Sequence, residues 1–176
     1  IVPGGEKLSP LACVINDLRH AAGRTGLGAV MGSKNLKAIV ARGKEPPEPF
    51  DPKAVHELAR WYASQVMENP TVRPFREAGT PGMLSSLNSS GILPTSNFRS
   101  GVFAGAGEIG WDAYKREIFV KAESCYVCSI RCKRVVRSEG EYEVSPEYGG
   151  PEYETLAAYG SNCSVSDLRA IAKANE

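Results

Sequence analysis

An α+β fold is expected for this chain, with the end of a β-rich domain followed by the start of a mainly helical one. Three observations predict it. Residues 1 to 44 are dense in glycine and β-branched residues and carry two short apolar runs, ACVIN and LKAIVA. A charged, proline-rich connector, KEPPEPFDP, then interrupts the chain at 44–52, the kind of composition that marks domain boundaries. Beyond it, helix-start signals recur at intervals. The boundary is placed near residue 46, which gives segments 1–45 and 46–176.

In the first segment, ACVIN and LKAIVA read as buried strands on either side of a glycine-dense turn. In the second, Asp51 can accept from orphan amides and Pro52 sacrifices no needed donor. Together they start a helix that Val55, Leu58, Tyr62 and Val66 carry to about Glu68. Thr80 and Pro81 repeat the device ahead of GMLSSLNSS, which Gly91 closes as a left-handed cap. An apolar loop, ILPTSNFRSGVFAGAGEIG, follows. A further helix is expected over Asp112 to Val120, then a loop or broken helix with three cysteines, then a strand pair around Gly140 in VVRSEGEYEV. Glu154 to Tyr159 should be helical. The final SVSDLRAIAKANE reads as a helix with Ser166 as N-cap and Leu168, Ile171 and Ala172 on one face. No stop signal closes that helix and no methionine opens the chain at Ile1, so the sequence reads as a fragment.

Composition excludes several classes. The 176 residues hold 21 Lys and Arg against 20 Asp and Glu, a net charge of +1, so no global field favours nucleic acid or an anionic membrane. No apolar run approaches the roughly 20 residues of a membrane span, and no charged-apolar-small signal pattern is read at the start of the given sequence. A cytoplasmic protein is expected. Five cysteines, three of them clustered, suit a metal site in a reducing compartment better than a disulfide framework.

Three constellations carry chemistry. Cys125, Cys128 and Cys132 form C-x2-C-x3-C within CYVCSIRC. Thiolate softness selects zinc, Cu(I) or an iron-sulfur cluster. Zinc sites usually pair two short arms and no second arm exists here, whereas three such cysteines suit three corners of a 4Fe-4S cluster. Cys163 could supply a fourth ligand or be a buried thiol. Lys133 and Arg134 either offset cluster charge or form a solvated face. In HAAGRTGLGAVMGSK, glycines surround Arg24. That pattern fits a tight structural turn or an anion cradle in which backbone amides and a guanidinium meet a phosphate. In GGPEYETLAAYGSNC, Glu152 and Glu154 sit at a helix entrance, where carboxylates are favoured by the dipole without any function. One of them, buried beside a cofactor, could instead act as a general base. His20 and His56 lack a partner at metal-binding spacing.

Taken together and in order, GRTGLGAVMGSKNLKAIVARG, LPTSNF, CYVCSIRCKR and GGPEYETLAAYGSNC resemble the aldehyde ferredoxin oxidoreductase family of tungsten enzymes. The resemblance covers nearly the whole chain. It implies that segment 1–45 ends an N-terminal pterin-binding β domain and that 46–176 starts the helical middle domain with the cluster motif. It also implies two cofactors, a tungsten (or molybdenum) bis-pyranopterin and a 4Fe-4S cluster. By the same resemblance, Cys125, Cys128 and Cys132 hold the cluster together with a cysteine beyond this chain, which leaves Cys163 a local thiol. Arg24, Thr25, Gly26, Leu27 and Gly28 contact the pterin, and Glu154, in preference to Glu152, stands near the metal. The implied reaction oxidises a small aldehyde to a carboxylic acid, with ferredoxin as electron acceptor, in a protein that forms a homodimer at full length. A tungsten subunit of an aromatic acyl-CoA reductase and a non-catalytic zinc- or cluster-binding module are the alternatives. The isolated chain is expected to bind neither cofactor tightly.

Overall fold

The computed structural model describes residues 1–176, which form two compact units, Ile1–His56 and Glu57–Glu176. In the first, Pro3 opens a short helix, α1 (Pro3–Glu6). A hairpin follows, β1 (Val14–Asn16) against β2 (His20–Ala22), with Val14 opposite Ala22 and Asn16 opposite His20. Asp17 and Leu18, both at positive φ, reverse the chain in the sense that twisted antiparallel strands prefer. Helix α2 (Leu27–Gly32) then lies against α1. Glycine makes that contact possible: a Cβ on Gly32 would stand 1.9 Å from the Gly5 carbonyl oxygen, and one on Gly5 would stand 2.7 Å from the Gly28 oxygen.

The strand expected at LKAIVA does not form. Residues 37–43 take no regular structure, and Ile39 and Val40 are 76% and 91% exposed. β-Branched residues fit a pleated surface but cannot create one, and neither β1 nor β2 pairs with this run. ACVIN does supply β1, but Ile15 is exposed and only Ala12 of that run is buried.

Helix α3 (Pro52–Glu68) starts as its sequence demands, with the Asp51 carboxylate accepting from the Ala54 amide at 2.9 Å. Val55, Leu58 and Tyr62 are exposed and only Val66 is buried. In the second unit, α4 (Arg73–Ala78) leads through Gly79 into a 3-10 turn, Thr80–Met83, and α5 (Leu84–Ser89). Gly91, at φ 72°, caps α5 as the sequence requires, and Ile92 N–H returns to the Leu87 carbonyl at 3.1 Å. Next come α6 (Ala106–Ile109) and α7 (Trp111–Glu117).

Residues past Glu117 depart from expectation. Phe119 and Val120 do not extend α7 but open β3 (Phe119–Glu123), which pairs antiparallel with β4 (Lys133–Val136). The cysteine segment is therefore the loop of a hairpin. Around Gly140 the expected strand pair reduces to one bridge, Ser138 to Val144, because Val135 and Val136 are already committed to β3.

Helix α8 (Tyr153–Thr155) runs into a π-helical turn, Leu156–Gly160, and a 3-10 turn, Ser161–Cys163. Last is α9 (Leu168–Asn175). Its N-cap is Asp167 rather than Ser166: the shorter reach of Asp167 Oδ1 to Arg169 and Ala170 N–H, 3.0 Å each, satisfies two orphan donors at once. Leu168, Ile171 and Ala172 are buried as their spacing requires. They join Leu84, Leu93, Ile109, Tyr114, Val136 and Leu156 in one core. No helix is long and apolar enough to cross a membrane.

Candidate functional site

The β3–β4 hairpin projects Cys125, Cys128 and Cys132 on one loop. All three are free thiols, Cys125 exposed and the other two half-buried. Cys128 N–H donates to the Cys125 carbonyl at 3.0 Å, and Val127 and Arg131 adopt positive φ, which folds the loop back on itself. No group of three or more Cys, His, Asp or Glu side chains is arranged to hold a metal ion. Cys163 does not join them. It lies after the π turn, exposed, with its thiol on the Ala158 carbonyl at 3.2 Å.

Glu152 links this loop to the helix behind it. Lys133 Nζ donates to Glu152 Oε1 at 2.8 Å, and the Thr80 hydroxyl donates to Oε2. Thr80 Oγ1 also accepts from Tyr153 N–H at 3.0 Å, so one threonine fixes both the carboxylate and the first turn of α8. Burial pushes the Cys132 thiol above its ordinary range, helped by the Glu152 carboxylate and opposed by Lys133. Burial alone would lower Lys133, but the Glu152 hydrogen bond and charge outweigh it and hold the ammonium above its usual value. Glu154, two residues on, is exposed. The two glutamates thus stand in different states, one held on both oxygens and the other presented to solvent.

Sequence reasoning left Arg134 open between charge compensation and a solvated face. The structure buries it at 2% exposure. Its NH1 donates to the Arg131 and Lys133 carbonyls at 3.1 and 2.9 Å, and NH2 donates to those of Phe75 and Arg76 at 3.1 and 3.0 Å. The guanidinium lies 5.5 Å from the centroid of the Trp111 ring and 5.8 Å from that of Phe119. Nε has no partner. The signal in the sequence was register: Lys133 and Arg134 alternate on β4, so one side chain reaches the Glu152 side while the other enters the core.

In the first unit, Arg24, Thr25 and Leu27 are exposed and Gly26 and Gly28 buried. Thr25 and Gly26 both take φ 66°, and a Cβ on Gly26 would meet the Pro10 carbonyl at 2.7 Å. Structural packing therefore accounts for these glycines, while Arg24 stands clear of them at the surface. LPTSNF also has a defined shape. Ser96, Asn97 and Phe98 are consecutively left-handed. Ser96 and Asn97 N–H donate to the Ser161 and Asn162 carbonyls at 3.0 and 2.8 Å. Leu93, Pro94 and Phe98 line a hollow of about 350 Å³.

Residues 57–176 match the family described as aldehyde ferredoxin oxidoreductase, domains 2 & 3, and residues 1–43 match its N-terminal domain. The chain belongs to the aldehyde ferredoxin oxidoreductase family. It is 39% identical over 99% of its length to the tungsten-containing aldehyde ferredoxin oxidoreductase of Pyrococcus horikoshii and 37% identical over 99% to that of Pyrococcus furiosus. It is also 32% identical over 96% of its length to a protein of Pyrococcus furiosus named aliphatic sulfonate oxidoreductase, WOR-like subunit. The chain spans 28% of each of the first two relatives and 27% of the third.

A cluster ligated by thiolates fits the residues present. The loop supplies three sulfurs, and beside them lies a buried cation with an unpartnered N–H, a setting suited to an anionic group.

Proposed function

We propose that the whole protein oxidises aldehydes to carboxylic acids, a reading supported by its relatives named tungsten-containing aldehyde ferredoxin oxidoreductase. One aldehyde and one water give one carboxylic acid, two protons and two electrons. A tungsten (or molybdenum) bis-pyranopterin would supply the redox centre, and a 4Fe-4S cluster would supply the path by which electrons leave for ferredoxin. Cys125, Cys128 and Cys132 would hold three corners of that cluster, with the fourth ligand elsewhere in the protein.

The contrast between Glu152 and Glu154 carries the assignment of roles in this chain. Both oxygens of Glu152 are engaged by Lys133 and Thr80, so it braces the cysteine loop against α8. Glu154, two residues on, has an exposed carboxylate and acts as the base that takes a proton from water or from the hydrated aldehyde. Arg24 is a surface guanidinium at a left-handed turn and binds the pterin phosphate, with Thr25, Gly26, Leu27 and Gly28 shaping the backbone approach. The hollow at Leu93, Pro94 and Phe98 forms part of the substrate wall. The protein works in the cytoplasm, as a homodimer.

The test uses the full-length protein purified without oxygen. Glu154→Gln should lower kcat on simple aldehydes by at least about 100-fold while metal and iron contents stay at wild-type levels. Unchanged turnover across pH would remove the base assignment. Finding zinc without iron or tungsten would favour the binding-module alternative, and reduction of aromatic acyl-CoA thioesters without aldehyde oxidation would move the substrate class.

A further inference from the structure

Arg134 is an unusual residue to find in a core. It is the largest fully buried side chain of the chain, and no carboxylate pairs with it: Lys133, its neighbour, takes Glu152 instead. Its four hydrogen bonds all go to neutral carbonyl oxygens. A buried charge without a counter-charge costs several kcal/mol, and an apolar residue could have packed between Trp111 and Phe119 at no such cost. Something anionic near this position would account for its presence.

The same arginine also shapes the loop. Arg134 draws in the carbonyls of Arg131 and Lys133, on either side of Cys132. Arg76 NH1 donates to the Ser129 carbonyl at 2.5 Å, and Arg131 NH2 donates to Ala122 at 3.2 Å. Arg134 in turn bonds the carbonyls of Phe75 and Arg76, which ties α4 to the hairpin. Loop carbonyls at 129, 131 and 133 are therefore all turned toward guanidinium groups. The amides of Ser129, Ile130, Arg131 and Cys132 donate to no backbone acceptor, so they remain free for sulfur. Charge near the cluster and hydrogen bonds to its sulfurs are the terms that set an iron-sulfur potential.

We propose that Arg134 is a positioning residue for the electron-transfer centre: its buried guanidinium compensates the negative charge gathered at Cys125, Cys128 and Cys132 and, by holding the loop carbonyls, raises the centre's reduction potential. This rests on the cluster reading above. A fixed positive charge favours the reduced, more negative state, so removing it makes reduction harder.

Full-length holoprotein, wild type, Arg134→Gln and Arg134→Lys, should be compared by anaerobic redox titration followed by electron paramagnetic resonance, with iron content measured alongside. Arg134→Gln should lower the equilibrium constant for one-electron reduction at least tenfold, a shift of about 59 mV to more negative potential. Arg134→Lys, which keeps the charge, should return toward the wild-type midpoint. Equal midpoints in wild type and Arg134→Gln overturn the proposal. Where the Gln variant fails to retain iron, the Lys variant decides: restored iron with a wild-type midpoint supports charge compensation, and iron loss equal to that of the Gln variant overturns it in favour of packing alone. Absence of iron and of any cluster signal in wild type would defeat the cluster reading itself, before any variant is compared.

Discussion

Tyr114 and Gly150 show how tightly single residues are fixed behind the cysteine loop. The Tyr114 hydroxyl donates to the Pro151 carbonyl at 3.2 Å, and burial drives its pKa far above the ordinary phenol range, so it stays neutral at any working pH. Gly150 N–H donates to the Arg134 carbonyl at 2.7 Å. A Cβ at Gly150 would stand 2.2 Å from the Tyr114 oxygen and 2.6 Å from a Val136 methyl. Gly150→Ala should therefore destabilise the protein by about 1–3 kcal/mol through overpacking, read as a lowered denaturation midpoint of the full-length protein. An unchanged midpoint would mean that Tyr114 can move, contrary to its packing. None of this was legible in GGPEYE, since a glycine's neighbours across the fold leave no mark in its own segment. The two glutamates were visible there, but the bond from Thr80, 72 residues earlier, was not, and that bond is what separates their roles.

At the scale of elements, local chemistry announced itself best. Asp51–Pro52 opened α3, and Gly91 closed α5, because caps are short-range devices whose donors and acceptors lie within a few residues. The cap of α9 was misplaced by one residue, since Ser166 and Asp167 both carry a suitable oxygen and only geometry chooses. Asp167→Ala should cost about 1 kcal/mol and fray the first turn of α9, measurable as faster amide exchange at Arg169 and Ala170; Ser166→Ala should leave both amides as protected as before. Strands were harder. Phe119 and Val120 were read as the tail of a helix and residues 36–41 as a strand, because a strand is defined by a neighbour that the local sequence does not name. The cysteine spacing identified its loop correctly, yet the hairpin that carries the loop became visible only with β3 in place.

For the molecule as a whole, the core of the second unit gathers around Leu84, Ile109, Tyr114, Leu156 and Ile171 and contains no cysteine. Removing iron from the full-length protein by oxidation and chelation should therefore loosen residues 124–132 without melting that core. Hydrogen exchange should rise at Ser129 to Cys132 and stay slow in α7 and in β4 from Val135 onward. Global loss of protection would place the metal centre at the heart of the fold instead of at its edge. The family was legible from four separated segments because each carries a distinct local pattern: a turn, a loop, a cysteine run and a helix entrance. The packing between those segments was not legible, because many sequences satisfy it equally well.

The closely packed glycines of residues 26–32 bear on which positions of this segment can change. Backbone lies within 3 Å of any side chain that might be added at Gly26, Gly28 or Gly32, so those three positions are closed to mutation. Arg24, Thr25 and Leu27, interleaved with them and exposed, are the positions left open. Change in the chemistry this segment presents must run through those three side chains on a turn fixed by packing, which separates the part that can adapt from the part that holds its shape.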